Sequence, residues 1–183
     1  MEREQLIYFI KYVIDDMREP LSYIPGGLLW GLLFAAAAAL SGIREVYRGG
    51  QFHWKRPAFF FLLGIYLYVF LEQAWFSRAP GSRTGVNMEI FGVWNNSLRD
   101  KAYMVENLMM FIPFGVLIPA CFRKAGTLWA VLPLSFSASV CLEYMQFITA
   151  RGHCQLDDVL MNTAGGVLGY VLFRMVPVFL KKI

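Results

Sequence analysis

A series of polar residues sits where lipid should forbid it, and this constrains the chain more than any other feature. Asn107, Glu143, Gln146, Arg151, Asp157, Asp158 and Asn162 interrupt segments that are otherwise as apolar as a bilayer core. An ionisable group placed in hydrocarbon costs roughly 2.5 to 3.5 kcal/mol on insertion scales, so it persists where it has a partner, a cavity or a task. The function of the chain is therefore expected among these residues.

The surrounding composition is that of an integral membrane protein. Of 183 residues, 57% are hydrophobic and 16% charged, where a soluble domain carries about a quarter charged residues. The net charge of +4 does not imply a nucleic-acid partner, because the basic residues gather beside apolar spans and form no basic helix or zinc-finger spacing. Cys121 and Cys141 fall in apolar segments and Cys154 in a polar loop, so no disulfide framework or CxxC metal pattern emerges. No residue pattern implies a cofactor.

A spanning helix needs about 20 apolar residues, and five stretches qualify: 25–43, 58–76, 104–122, 127–148 and 159–178. The fold class expected is thus all-α and polytopic, one membrane domain over 1–183. Residues 1–20 carry five acids, and Lys11 interrupts their apolar core. They read as an amphipathic interfacial helix, not a cleaved signal. Arg123-Lys124-Ala125-Gly126 is short enough to force an antiparallel hairpin, with Pro119 and Pro133 as candidate kinks. The one long connection, 77–103, intersperses Ile90, Phe91 and Trp94 among polar residues and suggests a loop folded over the membrane surface as a lid. Its Asn95-Asn96-Ser97 is a formal glycosylation sequon to which no role is given.

Basic density sets the expected orientation. Arg44, Arg48, Lys55, Arg56, Arg123, Lys124, Lys181 and Lys182 crowd the short connections on one side. Those on the other side, among them Arg78, Arg99 and Arg151, are spread through much longer ones. This places the N-terminus outside and the C-terminus in the cytoplasm of a multi-pass membrane protein.

Helix alternation brings the polar series together whatever the orientation. Asn107 falls in the first turn of the third span, Glu143 and Gln146 near the end of the fourth, and Asn162 in the first turn of the fifth. All meet at one membrane face, together with the long loop and Glu72. Glu143 and Gln146 share a helix face above Ser139. Asp158, Asn162, Gly165 and Gly169 line another, where Gly165-x-x-x-Gly169 lets a partner helix approach closely. Asp157 is placed to cap the fifth span.

The residues in order, Glu106-Asn107-Leu108-x-x-Phe111-Ile112-Pro113-Phe114-Gly115, then Glu143-Tyr144-x-Gln146, Arg151, Asp157-Asp158 and Asn162-x-x-Gly165-Gly166-x-x-Gly169, closely resemble the VanZ-like family over about 103–174. The resemblance implies a small bacterial polytopic membrane protein of the cell envelope; a founding member of the family is associated with teicoplanin resistance. It brings no agreed biochemical activity, so whether the chain is an enzyme stays open.

Chemistry ranks the candidates. Glu143 and Asp158 are the candidate acid/base groups, and Glu143 can equally be an ion-pair partner of Arg151. Asn107, Gln146, Arg151, Asp157 and Asn162 are candidate ligand contacts. Phe111, Pro113, Phe114, Gly115, Gly165, Gly166 and Gly169 read as packing and kink residues. Glu143, Asp157 and Asp158 offer oxygen ligands to a divalent cation, but no recognised metal spacing supports one. His153 and Cys154 are adjacent in a loop, a poor geometry for a nucleophilic pair. The leading expectation is a binding protein for an anionic head group, from membrane lipid or a lipid-linked cell-wall precursor, with Arg151 giving a bidentate contact. A membrane-embedded hydrolase or transferase is the alternative. A transporter ranks third, since no inverted repeat is visible.

Overall fold

The computed structural model describes residues 3–81, 85–90, 92 and 97–180, with side chains to 175. Phe91, Trp94 and the Asn95-Asn96 pair of the sequon lie outside the described residues, as do Lys181 and Lys182. The described residues are all-α apart from one two-residue ladder: α1 (Arg3–Asp16), α2 (Arg18–Ser22), α3 (Ile24–Tyr47), α4 (Lys55–Leu71), β1 (Val86–Asn87), α5 (Leu98–Cys121), α6 (Leu128–Ile148), β2 (Cys154–Gln155) and α7 (Leu156–Leu180).

Among the described residues, four helical segments are long and apolar enough to cross a membrane: α3, α4 with its continuation to Phe76, α5 and α6. At most a third of each apolar window is buried within the chain, and side chains such as Trp129, Leu134 and Phe136 stand exposed. A soluble protein could not leave so much apolar surface open; this is a multi-pass membrane protein. The fifth long helix, α7, has 25 residues and packs extensively against α5.

Two helix pairings organise the bundle. In α3–α4, Gly27 faces Ile65 and Gly31 faces Phe61, so the pair is antiparallel and close. In α5–α7, Gly165 abuts the Leu108 carbonyl and Gly169 the Ile112 carbonyl, so these helices run parallel at backbone contact. α6 joins α7 antiparallel, with Asn162 against Ser139 and Gly166 against Ser135. α4 reaches α5 through the Tyr66 hydroxyl, which donates to the Met110 carbonyl at 3.1 Å. That carbonyl lies in the turn just before Pro113, where the proline weakens the helical ladder.

Several boundaries differ from the sequence expectation. α5 starts at Leu98, not near 104, because Ser97 and Asp100 form a capping box: the Ser97 hydroxyl accepts from the Asp100 N–H and Asp100 accepts from the Ser97 N–H. Asn107 therefore lies well inside the helix, not in its first turn. α7 begins at Leu156, so Asp157 sits within the first turn instead of capping it from outside. The long connection is pinned down by the ladder, Val86 pairing with Cys154 and Asn87 with Gln155 in parallel. α1 is the amphipathic helix anticipated, and it docks against α5.

Candidate functional site

The end of α4 shapes the site. Residues Glu72–Phe76 form a π-helical turn, a wider turn that leaves carbonyls seeking partners. Two residues of the polar series supply them. Gln146 donates through Nε2 to the Ala74 carbonyl at 2.7 Å, and Arg151 donates through Nη1 to the Trp75 carbonyl at 2.9 Å. The Arg151 guanidinium also lies 4.6 Å from the Trp75 ring centre, while Trp75 Nε1 donates to the Thr149 hydroxyl at 3.0 Å. The clasp joins α4 to the α6–α7 turn and so confirms that these ends share one face.

Beside the clasp opens a cavity of about 940 Å³. Its floor is α5, through Met104, Glu106, Asn107 and Pro113; α4 contributes Tyr66, Phe70 and Gln73. The long connection brings Arg78, Val86 and Asn87, and the α6–α7 turn brings His153, Gln155 and Asp158. The last wall is α1–α2, through Asp16, Met17, Glu19 and Pro20. Polar and aromatic groups thus converge from α1–α2, α4, the long connection, α5 and the α6–α7 turn.

Of the sequence candidates, Asn107, Pro113 and Asp158 line this cavity. The Asn107 amide engages the Asp158 carboxylate, and the positive charge of Arg78 acts on Asp158 and on Glu143 behind it. Glu143 is 3% exposed and accepts a hydrogen bond from the Gln155 N–H at 3.0 Å. It makes no ion pair with Arg151, whose guanidinium is committed to Trp75. Asp157 is buried in the first turn of α7. Asn162 is buried too, donating through Nδ2 to the Ser139 hydroxyl at 2.9 Å. Glu143, Gln146, Arg151, Asp157 and Asn162 therefore form a polar layer behind the cavity wall.

The packing candidates sit where packing is tightest. Phe111 is fully buried between Phe70 and Phe114. A Cβ on Gly115, Gly165 or Gly169 would collide with facing backbone, and one on Gly166 with the Ser135 hydroxyl. Cys154, in the turn at the cavity edge, has its thiol pKa raised, first by burial and then by the charges of Glu143 and Asp158. Among the described residues no three His, Cys, Asp or Glu side chains converge to hold a metal ion.

Four wall residues escaped the sequence reading. Arg78 and Arg99 counted only toward topology, and Gln73 carried no signal, since nothing marks the π turn that aims it. Glu106 lay inside the motif beside Asn107, and helical spacing from Met110 and Pro113 was the available clue.

The fold and the cavity define a multi-pass membrane protein with a polar, partly charged recess at one end of its bundle. The VanZ/LLP1 family model matches residues 59–179, and the chain belongs to that family. The match takes in α4 and the long connection as well as the motifs of α5 to α7. The chain is also 39% identical over 72 residues to Protein VanZ of Enterococcus faecium, covering 39% of this chain and 44% of that protein. The matched stretch is thus less than half the length of that relative. No solved structure matches.

Proposed function

We propose that this protein binds the head group of a membrane amphiphile in the cavity between α1–α2, α4, α5 and the α6–α7 turn, and that this binding serves glycopeptide resistance as the VanZ relationship suggests. The observation that carries the reading is the recess itself: about 940 Å³, charged within, at the end of helices whose outer faces are apolar. A head group enters such a space while its chains stay in lipid. Arg78 and Arg99 on the wall meet the anionic part of a lipid or lipid-linked cell-wall precursor, the task first expected of Arg151. Facing carboxylates of Asp158 and Glu106 take hydroxyl or amino groups of the same ligand. In this reading the cavity faces outward, with the N-terminus outside and the C-terminus cytoplasmic.

Native mass spectrometry of the purified protein tests this. One phospholipid or precursor should remain bound at unit stoichiometry, and Asp158→Asn should weaken its retention. A protein that retains no amphiphile, or retains it equally after Asp158→Asn and Arg78→Ala, overturns the reading. The enzymatic reading has one observation in its favour: Asp158 lies on the cavity wall with the Asn107 amide and the charge of Arg78 acting on it, a setting suited to a general base. Cleaved or transferred product on incubation with the retained lipid would establish it, whereas stoichiometric binding without turnover would exclude it. Orientation is checked separately, with single cysteines at His153 and Lys124 in a background lacking the native three. An impermeant thiol reagent outside the cell should label the first and spare the second.

A further inference from the structure

The N-terminal wall of the cavity is held at the surface of the bundle. α1 and α2 contain no buried residue, and α1 lies along α5. The polar tie in that contact is a cluster around Arg99, in the first turn of α5. Arg99 Nη2 lies 2.9 Å from Asp16 Oδ2, and its guanidinium stands 5.1 Å from the Tyr12 ring and 4.9 Å from the Tyr103 ring. Its Nε donates to the Tyr103 hydroxyl at 3.1 Å, which holds the fork in place.

The inner side of this segment, from Asp16 to Pro20, lines the cavity. Flanking it, Ile14 and Leu21 are 53% and 62% exposed, apolar surface suited to lipid. The segment therefore stands between the recess and an apolar outer surface. It also lies outside the region matched by the family model, which begins at residue 59. Glu106 of α5 adjoins the same cluster through a hydrogen bond with Asp16, and its Oε1 is buried without a hydrogen-bond partner. An attachment made of a few polar contacts at a helix edge releases more readily than a packed helix.

We propose that α1–α2 is a lateral gate, latched by Arg99, through which a head group enters the cavity from the lipid side. This deepens the head-group reading and rests on it. Met104 reports the gate, since it lines the cavity and is 1% exposed on the α5 helix where α1 docks. The experiment places Met104→Cys in full-length protein free of native cysteines, reconstituted in phosphatidylglycerol/phosphatidylethanolamine vesicles, and follows alkylation by N-ethylmaleimide. Adding Arg99→Ala should speed labelling about tenfold by raising the open population. Arg99→Lys, which keeps charge but loses the planar fork, should fall between. Hydrogen exchange should rise across α1 and stay unchanged across α6.

Unchanged labelling and unchanged α1 exchange in Arg99→Ala overturn the gate. So does loss of α6 protection together with α1, because the cluster would then support the whole fold instead of a strap. Lipid retention by the Met104→Cys protein with Arg99 intact separates the two readings, because Arg99 is itself a head-group contact. Faster labelling of Arg99→Ala beside an Arg99 parent that retains no amphiphile would leave a mobile strap and refute the head-group reading. Retention with static labelling would keep the head group and refute the gate.

Discussion

The α3–α4 pair and the α5–α7 pair solve the same packing problem and differ in what they do with the solution. Both use glycine to bring backbones together: Gly64 sits against the Trp30 carbonyl, and Gly165 against that of Leu108. Around α3–α4 the neighbouring contacts are mostly apolar and aromatic, as between Trp30 and Tyr68, with the exposed Arg56–Glu45 ion pair at the far end. Around α5–α7 the seam rises into Asn162, Asp158 and Asn107, with Glu143 and Gln146 on the adjoining helix. Close approach is thus a general means of holding membrane helices, where no hydrophobic force drives association. A buried polar layer above it distinguishes the second pair from the first.

The largest expected effect tests this division directly. Gly165→Ala places a methyl into backbone that cannot swing aside, and overpacking of this kind costs about 1 to 3 kcal/mol or more. Detergent thermostability should fall steeply, and lipid retention should fall with it because Asp158 and Asn162 share the helix. Gly64→Ala should lower thermostability comparably while the protein that remains folded keeps its lipid. Gly26→Ala should be mild, since its methyl would meet only the Tyr68 side chain. Loss of lipid retention in Gly64→Ala at temperatures where it is folded would erase the distinction between the pairs.

Next in size is the clasp on the π turn. Gln146→Ala strands the buried Ala74 carbonyl, a penalty of about 1 to 3 kcal/mol. Arg151→Ala removes both a hydrogen bond and the cation over Trp75. Arg151→Lys keeps the charge but not the planar stack, so it should recover only part of the thermostability. A head-group contact predicts instead that Arg151 variants stay as stable as the parent and lose binding alone. Thermostability and lipid retention measured together decide the matter.

The membrane class, the alternation of helices and the meeting of polar residues at one end were all legible in the sequence, because each follows from hydropathy and helical period. The glycine seam was legible too, since Gly165 and Gly169 repeat at one turn. What could not be read was who partners whom. Arg151 and Glu143 are close in sequence and opposite in charge, so an ion pair was a natural expectation. The guanidinium instead serves a carbonyl that a π turn at residues far up the chain exposes. The α5 start was missed for a local reason: the hydropathy window opens near 104, while the capping box at Ser97 and Asp100 starts the helix in polar sequence. The latch between Asp16 and Arg99 joins residues from segments without shared periodicity, and nothing local announces such a contact.

A smaller effect is expected at Glu143. Its carboxylate accepts from the Gln155 N–H, and the amide oxygen of Glu143→Gln can keep that bond. The substitution should change thermostability by less than about 1 kcal/mol, whereas Glu143→Ala, which leaves the N–H without its acceptor, should cost more. Adding Arg151→Gln to Glu143→Gln should give no rescue, since the two are not paired. Rescue would restore the ion pair and place Arg151 back in the polar layer's charge balance. A stable Glu143→Gln protein that has lost lipid handling would make Glu143 a participant in function instead of a tether for the turn.

The smallest effect reads the electrostatics of the turn through Cys154. Burial and the nearby charges of Glu143 and Asp158 raise its thiol pKa above the ordinary thiol range, so less of it is thiolate at a given pH. Because the thiolate is the reactive form, alkylation at pH 8 should run slower than for a free cysteine and should climb only as pH rises beyond the ordinary thiol range. Asp158→Asn removes one of the opposing charges, lowers the thiol pKa and should raise the rate about two- to fivefold, well short of the effect of full exposure. Cys121 and Cys141 are replaced to isolate the signal. The same substitution on a charge of the α3–α4 pair, Glu45→Gln, should leave the rate unchanged. An equal response to both would mean that Cys154 senses net charge rather than the polar layer, and the contrast between the two halves would lose its electrostatic part.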